Sequence, residues 1–364
     1  MNRRARFIFV AAVVSAACRD NPMDHAAVEA ALIQAEQPGA VSVYSQNLYI
    51  GADVDAVIGA LVSPDPEDDV PALMTAIQTF LATDHAARLE AVADLIARRR
   101  PHVVGLQEVS VLDIDLTPLG VPVVVHADFL PVLQGALERR GLRYEVAATV
   151  RNIDAAPGPG IRLLDYDVLL VDADRVTVGA AGGQNFAVNL GAVAPGVDLK
   201  RGWVWADATV DGRPFFFAST HLEGSAVGHP ELLAAQAAEL AAFLPAGRPV
   251  LVMGDFNDEP GSLMYEVMTA SGFTDVWAGL RPGADGGTCC HASDLSNPVA
   301  NLTRRIDYVF ERGSADGQPG LLGTVALFGA VPADQTATGG RRIWPSDHVG
   351  VVATVFAAHG GHRR

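Results

Sequence analysis

Short apolar runs and helix-spaced apolar residues alternate along the chain, and this pattern predicts an α/β fold. Residues 250–253 form an uninterrupted apolar run between Pro249 and Gly254, which is typical of a strand buried on both faces. Residues 86–99 instead carry apolar side chains at helical spacing and end before Pro101, which indicates an amphipathic helix. Strands and helices therefore occur side by side from the first third of the chain onwards.

The other predicted elements continue this mixture. Further strands are predicted at residues 41–49, 103–109, 143–150, 164–172, 186–190, 202–210, 214–221, 306–310 and 349–356. Further helices are predicted at residues 24–35, 72–81, 129–140, 231–244 and 262–271, with 51–85 as a long connection. Because Asp211-Gly212 is a hairpin signal while helices join other strands, mixed rather than purely parallel sheets are expected.

The length and net charge of the chain limit the classes of protein to which it can belong. The chain has 364 residues, of which 49% are hydrophobic, so one two-sheet domain can bury a large core. Its net charge of −16 argues against a groove that grips many nucleic-acid phosphates. This net charge is still compatible with a local group of basic side chains around a site. The chain carries no glycine-rich phosphate loop or dinucleotide fingerprint, so no dinucleotide cofactor is expected.

The N-terminus has the pattern of an export signal. Arg3, Arg4 and Arg6 precede the apolar stretch 7–17 and Cys18, which predicts a signal peptide over 1–18 and a tether over 19–40. The piece Ser15-Ala16-Ala17-Cys18 resembles a bacterial lipoprotein signal, in which Cys18 would become a membrane tether, whereas ordinary cleavage after Ala17 is the alternative. Either alternative places the protein in the periplasm, outside the cell or on a bacterial membrane. Residues 358–364 are expected to be a frayed tail.

The two remaining cysteines are adjacent. Across a trans peptide, the Cα atoms of Cys289 and Cys290 would lie about 3.8 Å apart, below the usual disulfide range. Two separate thiols are therefore expected. Neither cysteine has the spacing of a zinc site.

Polar residues cluster at the ends of the predicted buried strands. They are Asn47, Glu108, His221, Asp255, Asn257, Asp307, Asp347 and His348. One such residue could be a turn cap, but strand ends are where α/β sheets place their sites. Carboxylate and amide oxygens suit Mg²⁺, and histidines suit proton transfer or contact with phosphate oxygens. No GxSxG or HExxH motif points to another hydrolase class.

Six short pieces occur in a fixed order along the chain. They are Gln46-Asn47-Leu48-Tyr49, Gly105-Leu106-Gln107-Glu108, Ser219-Thr220-His221-Leu222, Gly254-Asp255-Phe256-Asn257, Arg305-Ile306-Asp307-Tyr308 and Ser346-Asp347-His348. Together they resemble the endonuclease/exonuclease/phosphatase superfamily, which includes deoxyribonuclease I, exonuclease III, bacterial sphingomyelinase and inositol polyphosphate 5-phosphatases. This resemblance implies a four-layer sandwich over 41–357, made of two packed mixed β-sheets flanked by helices, and a monomer is expected.

The resemblance also implies a role for each residue. Glu108 would be the main Mg²⁺ ligand, with Asn47 and Asp347 beside the metal, and Mn²⁺ could replace Mg²⁺. Asp255 would orient and deprotonate the attacking water.

In the same scheme the remaining residues contact the phosphate or support a neighbour. Asn257 would hold a phosphate oxygen, and His221 and His348 would stabilise charge at phosphorus. Asp307 would hydrogen-bond His348. Asn47, Asn257 and His221 are the expected substrate contacts.

Some positions depart from the family pattern. Where one branch has a glutamate that pairs with the first histidine, this chain has Ala147 and Ala148, and Asp154 is the candidate substitute. Asp307 could instead pair with Arg304 or Arg305. The histidines without a motif position are expected in surface or loop segments, and these are His25, His85, His102, His126, His229 and His291.

The expected function is that of an exported, Mg²⁺-dependent hydrolase that cleaves a phosphoester or phosphodiester by direct in-line attack of water. The substrate is open between a lipid or small phosphoester and a nucleic acid, so a secreted endonuclease or exonuclease is one alternative. A catalytically inactive scaffold that binds metal or phosphate on the same fold is the alternative from another class.

Overall fold

The computed structural model describes residues 39–65, 67–224, 229–313 and 323–356. The predicted signal peptide (1–18), residues 19–38 of the tether, the predicted helix 24–35 and the tail (358–364) lie outside these ranges. Statements about the fold below refer to the described residues.

Seventeen strands are formed in the described part of the chain. They are β1 (Ala40–Asn47), β2 (Val103–Asp115), β3 (Val124–Asp128), β4 (Tyr144–Gly158), β5 (Ile161–Asp172), β6 (Val176–Asn185), β7 (Gly191–Ala194), β8 (Val197–Leu199), β9 (Gly202–Val210), β10 (Arg213–His221), β11 (Val250–Asp255), β12 (Thr274–Asp275), β13 (Asp307–Arg312), β14 (Gly323–Phe328), β15 (Thr336–Thr338), β16 (Arg341–Ile343) and β17 (Gly350–Phe356).

These strands form two mixed sheets and one small hairpin. The nine-stranded sheet has the order β14-β17-β1-β2-β5-β4-β8-β7, with β3 paired to β2, and the six-stranded sheet has the order β12-β13-β11-β10-β9-β6. Strands β15 and β16 pair with each other. Each large sheet contains one parallel pair, β1 with β2 and β10 with β11. Asn47, His221 and Asp255 are the last residues of β1, β10 and β11. Glu108 instead lies inside β2, at a bulge between Leu106 and Val109, because β2 continues past the predicted end at 109 to Asp115.

Helices cover the outer faces of both sheets. They are α1 (Val54–Val62), α2 (Asp69–Ala82), α3 (His85–Arg99), α4 (Phe129–Arg139), α5 (Pro230–Phe243), α6 (Leu263–Ala270) and α7 (Val276–Leu280), with 3₁₀ turns at Thr117–Leu119 and Pro332–Asp334. Leu89 of α3 and Phe129 of α4 belong to the core on the outer face of the nine-stranded sheet. Leu233 of α5 and Met264 of α6 belong to the core on the outer face of the other sheet. No helix in these ranges has the length and apolar composition to cross a membrane.

A separate core fills the space between the sheets. Val41, Val103 and Leu169 from the nine-stranded sheet pack there with Phe217 and Met253 from the six-stranded sheet. The layers therefore run helices, sheet, sheet, helices, which confirms the predicted four-layer α/β sandwich. The apolar run 250–253 is buried on both faces, as its lack of alternation predicted.

The prediction of a strand at 186–190 was wrong. The strand here is β6, which precedes this segment and pairs antiparallel with β9, so that Gly183 lies opposite Val204. Phe186 leaves the sheet and packs against Trp203, with the ring centroids 4.9 Å apart. Because β6 contains several glycines, its sequence does not show a strand pattern. Pairing with β9 stabilises this strand.

Helix α1 lies in the stretch that the sequence predicted as a connection. Asp53 caps it, because its Oδ1 accepts a hydrogen bond from the backbone nitrogen of Ala56 at 2.9 Å. Helices α1 and α2 together cover one end of the nine-stranded sheet, where Ile58 and Phe80 join its outer core.

The two sheets approach closely at Gly105 on β2. A Cβ atom at this position would lie 2.5 Å from Ser219 Oγ and 2.8 Å from Met253 Cγ. Such distances leave no room for a side chain between the sheets.

Gly105→Ala should therefore lower the free energy of unfolding by about 1–3 kcal/mol, because the added methyl group overpacks the space between the sheets. Urea unfolding of the purified protein measures this change. The matched control is Gly59→Ala in α1, where a Cβ meets nothing within 4 Å and stability should rise by up to about 1 kcal/mol. Equal effects of the two substitutions would contradict close packing at Gly105.

Candidate active site

The polar strand ends converge on one cavity of about 290 Å³. Six of the predicted site residues line it, namely Glu108, His221, Asp255, Asn257, Asp347 and His348. The other two, Asn47 and Asp307, hydrogen-bond directly to residues that line it. The structure thus brings all eight predicted residues together.

Asn47 links the two sheets at the base of this cavity. Its Nδ2 donates to Glu108 Oε1 at 2.9 Å and to Asp255 Oδ2 at 3.1 Å. Its Oδ1 accepts from the backbone nitrogen of Tyr49 at 2.8 Å, so the amide orientation is defined by three partners. Glu108 Oε2 accepts from the backbone nitrogen of Ile50 at 2.9 Å. Asn47 therefore positions the carboxylates of Glu108 and Asp255.

Asp255 lies between the two predicted histidines. Its Oδ2 is 3.6 Å from His221 Nε2 and 3.8 Å from His348 Nε2, and its Oδ1 accepts from the backbone nitrogen of Asn257 at 2.9 Å. Burial, with a further contribution from Asp307, raises the pKa of Asp255 to about 7. A carboxylate with this pKa can accept a proton near neutral pH.

His348 is held by Asp307, as predicted from the sequence. Its Nδ1 lies 2.8 Å from Asp307 Oδ2. Burial alone would lower the pKa of His348, but the carboxylates of Asp307, Asp255 and Asp347 raise it well above the usual value. These carboxylates therefore favour the cationic form of the imidazole. The alternative partner Arg305 pairs with another residue, Asp275, at 2.7 Å.

His221 has a partner that the sequence did not predict. Arg201 Nη1 lies 3.1 Å from His221 Nδ1, and Arg201 Nε lies 3.2 Å from Glu223 Oε1. Nε2 lies 3.1 Å from Asn257 Nδ2, which is also a donor. A neutral imidazole has one acceptor nitrogen, so Arg201 and Asn257 compete for it. Burial, Arg201 and His348 together lower the pKa of His221 well below its usual value.

The carboxylate expected near His221 is not Asp154. Asp154 pairs instead with Arg151 and Arg162, because its strand position on β4 directs it towards these neighbours. Asp165 on β5 lines the cavity, accepts from Ser110 Oγ at 2.9 Å, and has its pKa raised by burial to about 7. Asp165 lay inside an apolar strand pattern and had no motif to mark it.

A buried arginine supports the backbone behind the site. Arg88 on α3 donates to the carbonyl oxygens of Leu48 (2.7 Å), Tyr49 (2.9 Å), Thr83 (3.0 Å) and Pro345 (3.2 Å). These bonds tie the turn after β1 to the segment before β17. Asn47 directly precedes the turn after β1, and His348 follows Pro345 by three residues. Arg88 therefore helps to position both.

The two remaining cysteines lie side by side at the cavity. The Cα atoms of Cys289 and Cys290 are 3.0 Å apart. That the two side chains are separate thiols stays a prediction. Both cysteines line the cavity.

Two of the histidines expected in surface or loop segments are buried. His291 stacks on Trp344 with the ring centroids 4.2 Å apart and lines the cavity. His102 Nδ1 accepts from the backbone nitrogen of Ser42 at 3.0 Å. Both lie in irregular segments, as predicted, but both are enclosed by neighbouring elements that the sequence pattern did not reveal.

Comparison with known protein families agrees with this geometry. The model of the endonuclease/exonuclease/phosphatase family matches residues 81–348. The chain belongs to this family. A search of curated proteins finds no significant match.

Solved structures of family members share the fold with this endonuclease/exonuclease/phosphatase family chain. A family protein from Bacteroides thetaiotaomicron is similar with a TM-score of 0.55 and 16% identity, over 90% of this chain and 99% of that one. One from Bacteroides vulgatus gives a TM-score of 0.54 and 18% identity, over 88% and 99% of the two chains. D. rerio TDP2, complexed with a single-strand DNA product, gives a TM-score of 0.51 and 17% identity, over 87% of this chain and 98% of that one.

Members of the family generally use divalent metal ions, and the acidic residues here fit one. Burial raises the pKa of Asp347 to about 6, and repulsion from the nearby Glu108 contributes. A cation between these carboxylates would remove that repulsion, and oxygen ligands suit Mg²⁺ or Mn²⁺. Asp255, Asp307 and His348 also offer ligand atoms within 4.8 Å of one another. Asp307 and His348 already bond each other, however, so Glu108 and Asp347 are the better ligands.

Glu108→Gln should reduce the rise in melting temperature that millimolar Mg²⁺ causes, because it removes one of the two charges that hold the ion. Differential scanning calorimetry with and without Mg²⁺ measures this rise. Glu145→Gln, at an exposed position on β4, is the control and should keep the wild-type rise. An unchanged rise in Glu108→Gln would exclude Glu108 as a ligand.

Proposed function

We propose that this chain hydrolyses phosphoester bonds with the help of a divalent metal ion, by direct in-line attack of water and without a covalent intermediate. One observation carries the proposal. The Asp255 carboxylate lies within 4 Å of His221 and His348 and shares the amide of Asn47 with Glu108. Two carboxylates and two imidazole groups thus surround one space, which supports the roles of proton acceptor and metal ligand proposed below.

Each residue then has a distinct role. Asp255 orients the attacking water and accepts its proton, which its raised pKa favours. His348, whose raised pKa favours the cationic form, and His221 stabilise charge on the phosphate oxygens. Asn257 holds a phosphate oxygen beside His221.

Glu108 and Asp347 would hold the metal ion, with Asn47 orienting Glu108. The ion would polarise the phosphoryl oxygen and stabilise the leaving oxygen. Asp307 keeps the His348 ring in place through its bond to Nδ1, and so leaves Nε2 directed at the cavity.

A nuclease is the main alternative. It is favoured by the similarity to D. rerio TDP2, which is complexed with a single-strand DNA product, but that similarity concerns the fold alone. The net charge of −16 argues against a nucleic-acid substrate. An inactive scaffold would not require this complete set of acids and histidines, so we favour the enzyme.

Asp255→Asn and His348→Ala should each lower kcat at least about a hundredfold, because each removes a group that acts in the transition state. The assay is Mg²⁺-dependent hydrolysis of p-nitrophenyl phosphate, bis-p-nitrophenyl phosphate, plasmid DNA, sphingomyelin and an inositol polyphosphate, with EDTA as a blank. Glu259→Gln, an exposed acid four residues after Asp255, is the matched control and should retain full activity.

Two outcomes would overturn parts of this proposal. Near-wild-type turnover in Asp255→Asn would exclude its role as proton acceptor. Binding of Mg²⁺ without hydrolysis of any of these substrates would favour the scaffold.

We also propose that the chain is exported, on the basis of the basic and apolar N-terminus. Mass spectrometry of protein expressed in a bacterial host should find a mature chain that begins at Cys18. A diacylated Cys18 would identify a lipoprotein, and an unprocessed Met1 would contradict export.

A further inference from the structure

A second cavity, of about 80 Å³, lies between α1, α2 and the strands β2, β4, β5 and β8. We name it the α1–α2 cavity. Every residue that lines it has a hydrocarbon side chain, and Phe80 is the one aromatic residue among them. Its volume is several times the space that one water molecule requires, but a water there would find no polar side chain to bind.

The α1–α2 cavity is continuous with the candidate active site. Ile50, Ile58, Ile153, Leu163 and Leu199 line both cavities. A molecule that extends from the phosphate position therefore passes directly from polar to apolar walls.

Ile50 joins the two environments in a single residue. Its backbone nitrogen donates to Glu108 Oε2 at 2.9 Å, while its side chain borders the apolar space. The phosphate of a substrate bound near Glu108 would thus have its substituent at the entrance to the α1–α2 cavity.

We infer that the α1–α2 cavity binds the alkyl chain of an amphiphilic phosphoester, such as a lipid-type substrate, while the phosphate lies in the polar cavity. This inference rests on the proposed function and names its substrate class. Burial of methylene groups against hydrocarbon walls supplies the binding free energy. A nucleic-acid base fits poorly, because its ring nitrogens and oxygens would be buried without hydrogen-bond partners.

The test is a series of p-nitrophenyl alkyl phosphodiesters with methyl, butyl and octyl groups, below their micelle concentrations. Water attacks phosphorus, the bond to p-nitrophenolate breaks, and the alkyl phosphate is the other product. We expect kcat/KM of the full chain with Mg²⁺ to be at least about tenfold higher for the octyl than for the methyl ester.

Ala76→Phe fills the cavity from α2, where Ala76 lines the α1–α2 cavity but not the polar one. It should abolish the octyl advantage and leave methyl ester turnover within about twofold of wild type. Thr75→Phe, at the exposed neighbouring position on the same helix, is the control and should keep the advantage.

Binding to the wild-type chain tests the same inference, and it depends neither on the folding of a variant nor on turnover. By calorimetry, octylphosphonate should bind at least about tenfold more tightly than methylphosphonate. Equal binding and equal kcat/KM along the series would overturn the alkyl site, as would faster cleavage of a single-stranded oligonucleotide than of the octyl ester. Failure to hydrolyse any ester, with phosphonate selectivity intact, would instead overturn the proposed function and leave the alkyl site standing.

Discussion

The hydrogen bonds of Asn47 are the interaction on which the site depends. Glu108 belongs to the nine-stranded sheet and Asp255 to the six-stranded sheet, and two nearby carboxylates would repel each other. The two N–H groups of one amide bind one carboxylate each and carry no charge of their own. A carboxylate in place of Asn47 would add a third negative charge at this point. The amide therefore lets the ends of two separate sheets meet in one acidic cavity.

The two histidines show how the surroundings assign different roles to one residue type. Both rings are buried, which by itself favours the neutral form. The guanidinium of Arg201 beside His221 lowers the pKa of that ring further. Three carboxylates around His348 instead raise its pKa. The surroundings of the two rings beside Asp255 thus favour different protonation states, a division typical of sites that move protons.

The sequence predicted the site better than the surroundings of the site. Asn47 and Asp255 could be found because each ends a buried strand, and polar residues at such ends are typical of α/β sites. Glu108 was found at the end of a predicted strand, although β2 continues beyond it after a bulge. Arg88 could not be found, because its partners are backbone carbonyls distant in sequence. Strand β6 was hidden by its glycines, since its stability comes from pairing with β9 rather than from local propensity.

Ile50 shows why substrate choice and catalysis are connected in this fold. A substitution that moves α1 or α2 would shift the apolar wall on which the Ile50 side chain rests. The backbone nitrogen of the same residue holds Glu108, so such a shift would also reach the metal-ligating carboxylate. An occupied α1–α2 cavity would hold this wall in place. A substrate with an alkyl chain would then order the metal-binding carboxylate as it binds, and a substrate without one would not. Chain length should therefore act on kcat as well as on KM, because part of the binding free energy would be used to position Glu108.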